Sequence, residues 1–89
     1  SLRTAPIGLF RTDLAGRCTF VNGEWERITG RTAREAGGRA WMGAIAPASW
    51  SAFDTHWQRL LRGDTASFNA DVRLARPDGT QRLVRASAW

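Results

Sequence analysis

At 89 residues, 43% hydrophobic and 24% charged, the chain has the make-up of a globular protein and the length of one small domain. Its net charge of +5 comes from 13 basic residues against 8 acidic ones. All the basic residues are arginine, scattered from Arg3 to Arg85 without the clustered patch of a nucleic-acid reader. A single cysteine and a single histidine exclude an internal disulfide and a multi-cysteine metal site, and no stretch approaches the roughly 20 apolar residues that span a bilayer. With no signal-peptide pattern at its start, the segment is expected in a reducing cytoplasm.

Ile7–Asp13 is short and apolar-rich, bounded by Pro6 and the turn Asp13-Leu14-Ala15-Gly16, and reads as a strand. Arg17–Asn22 carries β-branched and aromatic residues and returns as its hairpin partner, with Gly16 supplying the positive φ of the turn. Asn22 stands where a helix cap is needed. The helix predicted over Gly23–Thr29 has Trp25, Ile28 and Thr29 at helical spacing, Glu24 and Glu26 near its positive end, and Gly30 as its stop. Thr32 and Glu35 have capping-box spacing for another short helix, ended by Gly37-Gly38. Arg39–Ala46, with Trp41, Met42 and Ile45, is read as a further helical turn before Pro47.

The longest helix is predicted over Ser49–Arg62. Trp50, Phe53, Trp57, Leu60 and Leu61 form one apolar stripe, while Asp54, Thr55, Gln58 and Arg62 take the remaining surface. Phe68, Ala70, Val72 and Leu74 then alternate with Asn69, Asp71, Arg73 and Ala75 at the period of a half-buried strand. The Arg76-Pro77-Asp78-Gly79-Thr80 turn leads into Gln81–Trp89 as the pairing strand. These elements define an α+β fold, an antiparallel sheet with short helices and one longer helix packed on one face.

Catalytic chemistry does not emerge from these residues. His56 has no cysteine or serine partner, Ser49 and Ser51 lack a nucleophile-elbow context, and Gly37-Gly38 lacks the lysine and glycine spacing of a phosphate loop. Cys18 reads as ordinary strand filler. The tryptophans, five in the chain, have two readings. In one, Phe10, Trp25, Ile28, Trp41, Trp57 and Phe68 line a ligand cavity in which Arg39, Asn69 or Arg85 orients a polar group. In the other, which is favoured, they fill the core, because every aromatic falls on an expected inward stripe.

Four segments in this order resemble the PAS family of sensory domains. Pro6–Asp13 with Gly16–Asn22 is similar to its opening hairpin, and Trp25 through Ile28-Thr29-Gly30 to its next helix. Glu35–Arg39 resembles the following break, and Arg73–Val84 the late hairpin. The resemblance covers nearly the whole chain and implies a regulatory domain rather than an enzyme. It would serve as a sensing and dimerising module of a bacterial signalling protein whose fused output is a histidine kinase, a diguanylate cyclase or a phosphodiesterase. Expected partners are a second copy, that output domain and a small-molecule ligand in an internal pocket, with no nucleic acid and no membrane contact by this segment. The alternative is a ligand-free interaction module.

The cofactor is left unknown. The family's haem ligand position falls near Ala52 rather than His56, and its covalent flavin chemistry needs a cysteine after Gly30 that is absent here. Two further departures carry expectations. Ala46-Pro47-Ala48-Ser49 replaces an acidic helix cap, so Ser49 is expected to cap the long helix. The family's last strand, central in its sheet, is expected to be missing, so that Ile7–Asp13 closes directly against Gln81–Trp89 or neighbouring molecules supply the pairing.

Overall fold

The computed structural model describes residues 7–89; Pro6, expected to bound the first strand, lies outside the described residues. The chain forms β1 (Phe10–Thr12), β2 (Cys18–Val21), α1 (Gly23–Thr29) and α2 (Ala33–Ala36). A 3-10 helix (Ala40–Ala44), α3 (Pro47–Leu61), β3 (Phe68–Ala75) and β4 (Gln81–Ala88) complete it. The α+β class and the element order are those expected, and α1 has the predicted bounds.

The first hairpin is shorter than its apolar run. Arg11 pairs with Phe20 but Thr12 pairs with Cys18, which leaves Thr19 as an extra residue in a bulge. That insertion shifts the side-chain alternation by one. Cys18 and Val21 therefore both lean on the core, while Thr19 and Phe20 face out. The expectation that every aromatic points inward is corrected here: Phe20 is 49% and Trp89 85% exposed.

Asn22 ties the hairpin to α1. Its Oδ1 accepts from the amides of Trp25 and Leu9, both at 2.8 Å, and its Nδ2 donates to the Ile7 carbonyl at 2.9 Å. One side chain thus caps a helix and fixes the strand that precedes the turn. At the other end of α1, Gly30 adopts φ 70°, and a Cβ there would stand 3.2 Å from Pro77 Cδ. The β3–β4 turn sits against that helix end. In α2 the predicted capping box is present, with Thr32 and Glu35 each bonded to the other's backbone amide.

α3 begins two residues before the expected Ser49. Pro47 occupies its first turn, where a missing N–H costs nothing, and Ala46 stands at the cap with no side-chain bond. The Ala46 amide donates to the Arg73 carbonyl at 2.8 Å, and Ser49 Oγ accepts from the Arg73 amide at 3.0 Å. Ser49 is therefore a clamp between α3 and β3, not the cap.

β3 and β4 pair over their full length, from Phe68 with Ala88 to Ala75 with Gln81. Phe68, Val72 and Leu74 face the core and Asn69, Asp71 and Arg73 face out. Direct closure of the first strand against the last does not occur. Among the described residues there are two separate two-stranded sheets, and no strand lies between β1 and β4. The bulge and the brevity of β1 leave only three residues in ladder geometry, and the Phe10 ring of that strand packs on Trp41 and Trp57.

Replacing Asn22 with Ala should destabilise the fold by about 2 kcal/mol, at the upper end for a lost cap because the link to the first strand goes as well. Asn22→Asp, which retains the acceptor and loses the donor to Ile7, should fall between the parent and the Ala variant. Urea unfolding followed by tryptophan fluorescence measures both.

Candidate ligand site

α3 carries Phe53 and Trp57 inward, at 5% and 4% exposure, and these meet Trp41 of the 3-10 helix. Trp41 stands edge-on to Trp57 with ring centroids 5.1 Å apart, and Phe10 of β1 lies 5.2 Å from Trp41 and 6.0 Å from Trp57. Phe53 stacks on Trp57 at 5.8 Å and meets Phe68 of β3 edge-on at the same distance. Each such pair adds about 0.5–1.5 kcal/mol beyond its buried area. The chain of rings runs from the first hairpin, through two helices, to the second hairpin.

The residues predicted to line a pocket divide accordingly. Phe10, Trp25, Ile28, Trp41, Trp57 and Phe68 all belong to or pack on the core, which is the filling role favoured for them on sequence grounds. Asn69 and Arg85 lie on the outward face of the second hairpin, where Asn69 bonds Ser87 and Arg85 pairs with Asp71 at 3.4 Å. Strand alternation puts them on the opposite side from Phe68 and Val72. His56 is half-buried and stacks on Phe68 at 5.3 Å. Cys18 is half-buried, its amide bonded to the Gly38 carbonyl at 2.8 Å.

Arg39 and Trp57 come together elsewhere. They share an open-sided recess of about 530 Å³ between the β1–β2 turn, the 3-10 helix and α3. Leu14, Met42, Trp50 and Leu61 supply apolar wall, and Asp54, Gln58 and Arg62 supply polar wall. The volume is within the range of small-molecule sites. Sequence reasoning missed most of these residues, yet part of the signal was present. Trp50, Asp54, Trp57 and Leu61 recur at i, i+4, i+7 and i+11, so Asp54 stands on the shoulder of the apolar stripe rather than on its far side.

The turn that forms one wall is tightly held. Arg39 Nε and one terminal nitrogen donate to the Ala15 carbonyl at 3.3 and 3.1 Å, and the Trp41 indole N–H donates to the Gly16 carbonyl at 2.8 Å. Within the turn, the Asp13 carboxylate accepts from the amides of Arg17 and Ala15 at 3.0 and 2.9 Å, and from Arg17 Nε at 3.1 Å. These bonds, the Arg17 amide foremost, hold the Asp13 carboxyl below its ordinary pKa. On α3, Gln58 donates to Asp54 at 3.2 Å, and Arg62 pairs with Asp64 at 3.0 Å.

The family profile of the PAS fold matches residues 19–88, and the chain belongs to the PAS family. PAS domains are regulatory sensory and interaction modules of signalling proteins, which is the general role of this one. No curated protein matches the chain.

Because the folded-state pKa of Asp13 is lowered, its contribution to stability is complete above the ordinary carboxylate value and disappears as pH falls through the lowered one. Asp13→Asn should therefore be less stable than the parent at neutral pH. The gap should narrow in strong acid, as read by chemical denaturation at a series of pH values. A gap independent of pH would mean that the carboxylate charge contributes nothing to the turn.

Proposed function

We propose that this chain is the signal-sensing and dimerising module of a larger bacterial signal-transduction protein, and that it binds a small ligand in the recess beside α3. Its output partner is a histidine kinase, a diguanylate cyclase or a phosphodiesterase, as the resemblance implies, and its setting is cytoplasmic. No helix among the described residues is long and apolar enough to cross a membrane. The observation that carries the reading is the recess itself, walled by the aromatic core on one side and by the β1–β2 turn on the other. A ligand seated there touches α3, the 3-10 helix and the first hairpin at once. It would shift their packing only in so far as it binds one arrangement better than the other. The dimer contact would then transmit that difference to the fused domain.

Dimerisation has support of its own. Ile7, Leu9 and Phe20 of the first hairpin region, and Leu83 and Trp89 of the second, are each at least 47% exposed. A small domain that presents this much apolar side chain on and beside its strands gains by covering it. Ligand-free dimerisation is thus the second reading, favoured if the recess stays empty in solution.

Native mass spectrometry beside a denatured control distinguishes the two. An added mass lost on denaturation is the result expected of a sensor; a dimer with no added mass favours the interaction module. Phe20→Arg should shift the sedimentation-equilibrium profile toward monomer, while stability changes by less than about 0.5 kcal/mol, as for exposed positions generally. Unchanged self-association in that variant removes the first hairpin from the interface.

A further inference from the structure

Of the two asparagines in the chain, Asn22 and Asn69, only Asn22 is followed by glycine. Glycine has no side chain to obstruct attack of its own backbone nitrogen on the preceding asparagine side chain. Here that nitrogen is also unengaged. Gly23 is exposed and opens α1, where an N–H has no intrahelical acceptor, and it donates to no other group among the described residues.

The side chain that it would attack is held in place by a strap, the extended residues 7–9 that run across the start of α1. Asn22 Oδ1 accepts from the Leu9 and Trp25 amides at 2.8 Å each, and Nδ2 donates to the Ile7 carbonyl at 2.9 Å. The Asn22 amide adds a bond to the Leu9 carbonyl at 3.0 Å. Its ψ of 173° staggers the Gly23 nitrogen against Cβ, whereas closing a five-membered ring needs the two nearly eclipsed. Gly8 seats the strap. A Cβ there would stand 3.1 Å from Trp25 Cα and 3.3 Å from Ile28 Cδ1, so an added side chain must lift the strap from the helix.

We propose that Asn22 is a deamidation site gated by this strap. When residues 7–9 lift, the bonds to Leu9 and Ile7 go, and only the cap to Trp25 still restrains the side chain. Hydroxide removes the Gly23 amide proton, and the nitrogen bonds to Asn22 Cγ. The Cγ–Nδ2 bond breaks, and Nδ2 takes a proton from water and leaves as ammonia. Water then opens the succinimide without any change of oxidation state. Attack at Cγ gives aspartate, and attack at the main-chain carbonyl gives isoaspartate, in which the backbone runs through the former side chain. Aspartate keeps the capping acceptor and loses the donor to Ile7. Isoaspartate adds a methylene to the backbone between hairpin and helix and displaces the capping oxygen. The product thus records that the strap has opened, and it loosens the joint that had prevented the reaction.

The test follows the tryptic peptide Cys18–Arg27, which contains the site, by mass spectrometry after chromatography that separates aspartate from isoaspartate. The intact chain is held in mildly alkaline buffer, with and without denaturing urea. In urea the peptide should convert, and Gly23→Ala should all but abolish the conversion. In buffer, conversion should be at least about tenfold slower, because it requires an opening that breaks several hydrogen bonds together. Gly8→Ala leaves Asn22, Gly23 and the cap donor unchanged. It should speed conversion in buffer by about threefold or more and leave the rate in urea as it was.

Tryptophan fluorescence establishes that the Gly8→Ala chain is folded. If it is not, the parent is followed at urea concentrations below its unfolding transition. A local opening then gives a rate that depends weakly on urea, and global unfolding a steep one. Absence of conversion in urea overturns the site. Equal rates in buffer and urea, a folded Gly8→Ala chain that converts no faster than the parent, or a rate that climbs with urea as steeply as unfolding does overturns the gate. Acceleration by Gly8→Ala confined to buffer supports both.

Discussion

The two hairpins of this domain share no ladder hydrogen bonds, so side chains must hold them in one unit. That task falls to a run of rings in van der Waals contact, from Phe10 through Trp41, Trp57 and Phe53 to Phe68. Aromatic packing suits the role because each ring removes a large apolar area from water and is restricted to few orientations against its neighbours. Backbone bonds reinforce it at two places: Ala46 with Arg73 joins the start of α3 to β3, and Cys18 with Gly38 joins β2 to the segment after α2. In a domain of this size little else is available, since a short chain buries a smaller fraction of its surface than a long one.

The same constraint shapes the candidate site. With the interior occupied by rings, open space lies at the margin of the cluster, where the β1–β2 turn meets α3. The turn is an unusually ordered wall for a loop: Asp13 organises it from within, while Arg39 and Trp41 hold its carbonyls from the 3-10 helix. A wall fixed by side chains from another element moves with that element. Displacement of the 3-10 helix would therefore be felt in the first hairpin and in α3 together, which is the kind of linkage a sensory domain of this family requires.

The range of the forces involved separates the features that are legible in the sequence from those that are not. Asn22 as a helix cap, the Thr32–Glu35 capping box, Gly30 as a helix stop and the Asp78-Gly79 turn are all legible, because each depends on partners within a few residues. Ser49 is misassigned for the opposite reason. Its partner is the amide of Arg73, distant in sequence, and Pro47 already satisfies the local requirement for a helix start. Phe20 is misplaced because a single extra residue at Thr19 reverses the facing of one end of β2 relative to the other, and such a bulge has no strong compositional mark.

The order of elements, the α+β class, the family and most of the aromatic core are legible along the chain, since periodicity, caps and turn residues act locally and add up. Tertiary structure alone decided three things. The hairpins remain separate ladders, Asn69 and Arg85 turn away from the rings, and Arg39 and Trp57 come to line one recess beside the β1–β2 turn. Each of these depends on where one element lands against another. That is set by how bulky rings fill a shared volume, a property of the packed whole that no single segment encodes.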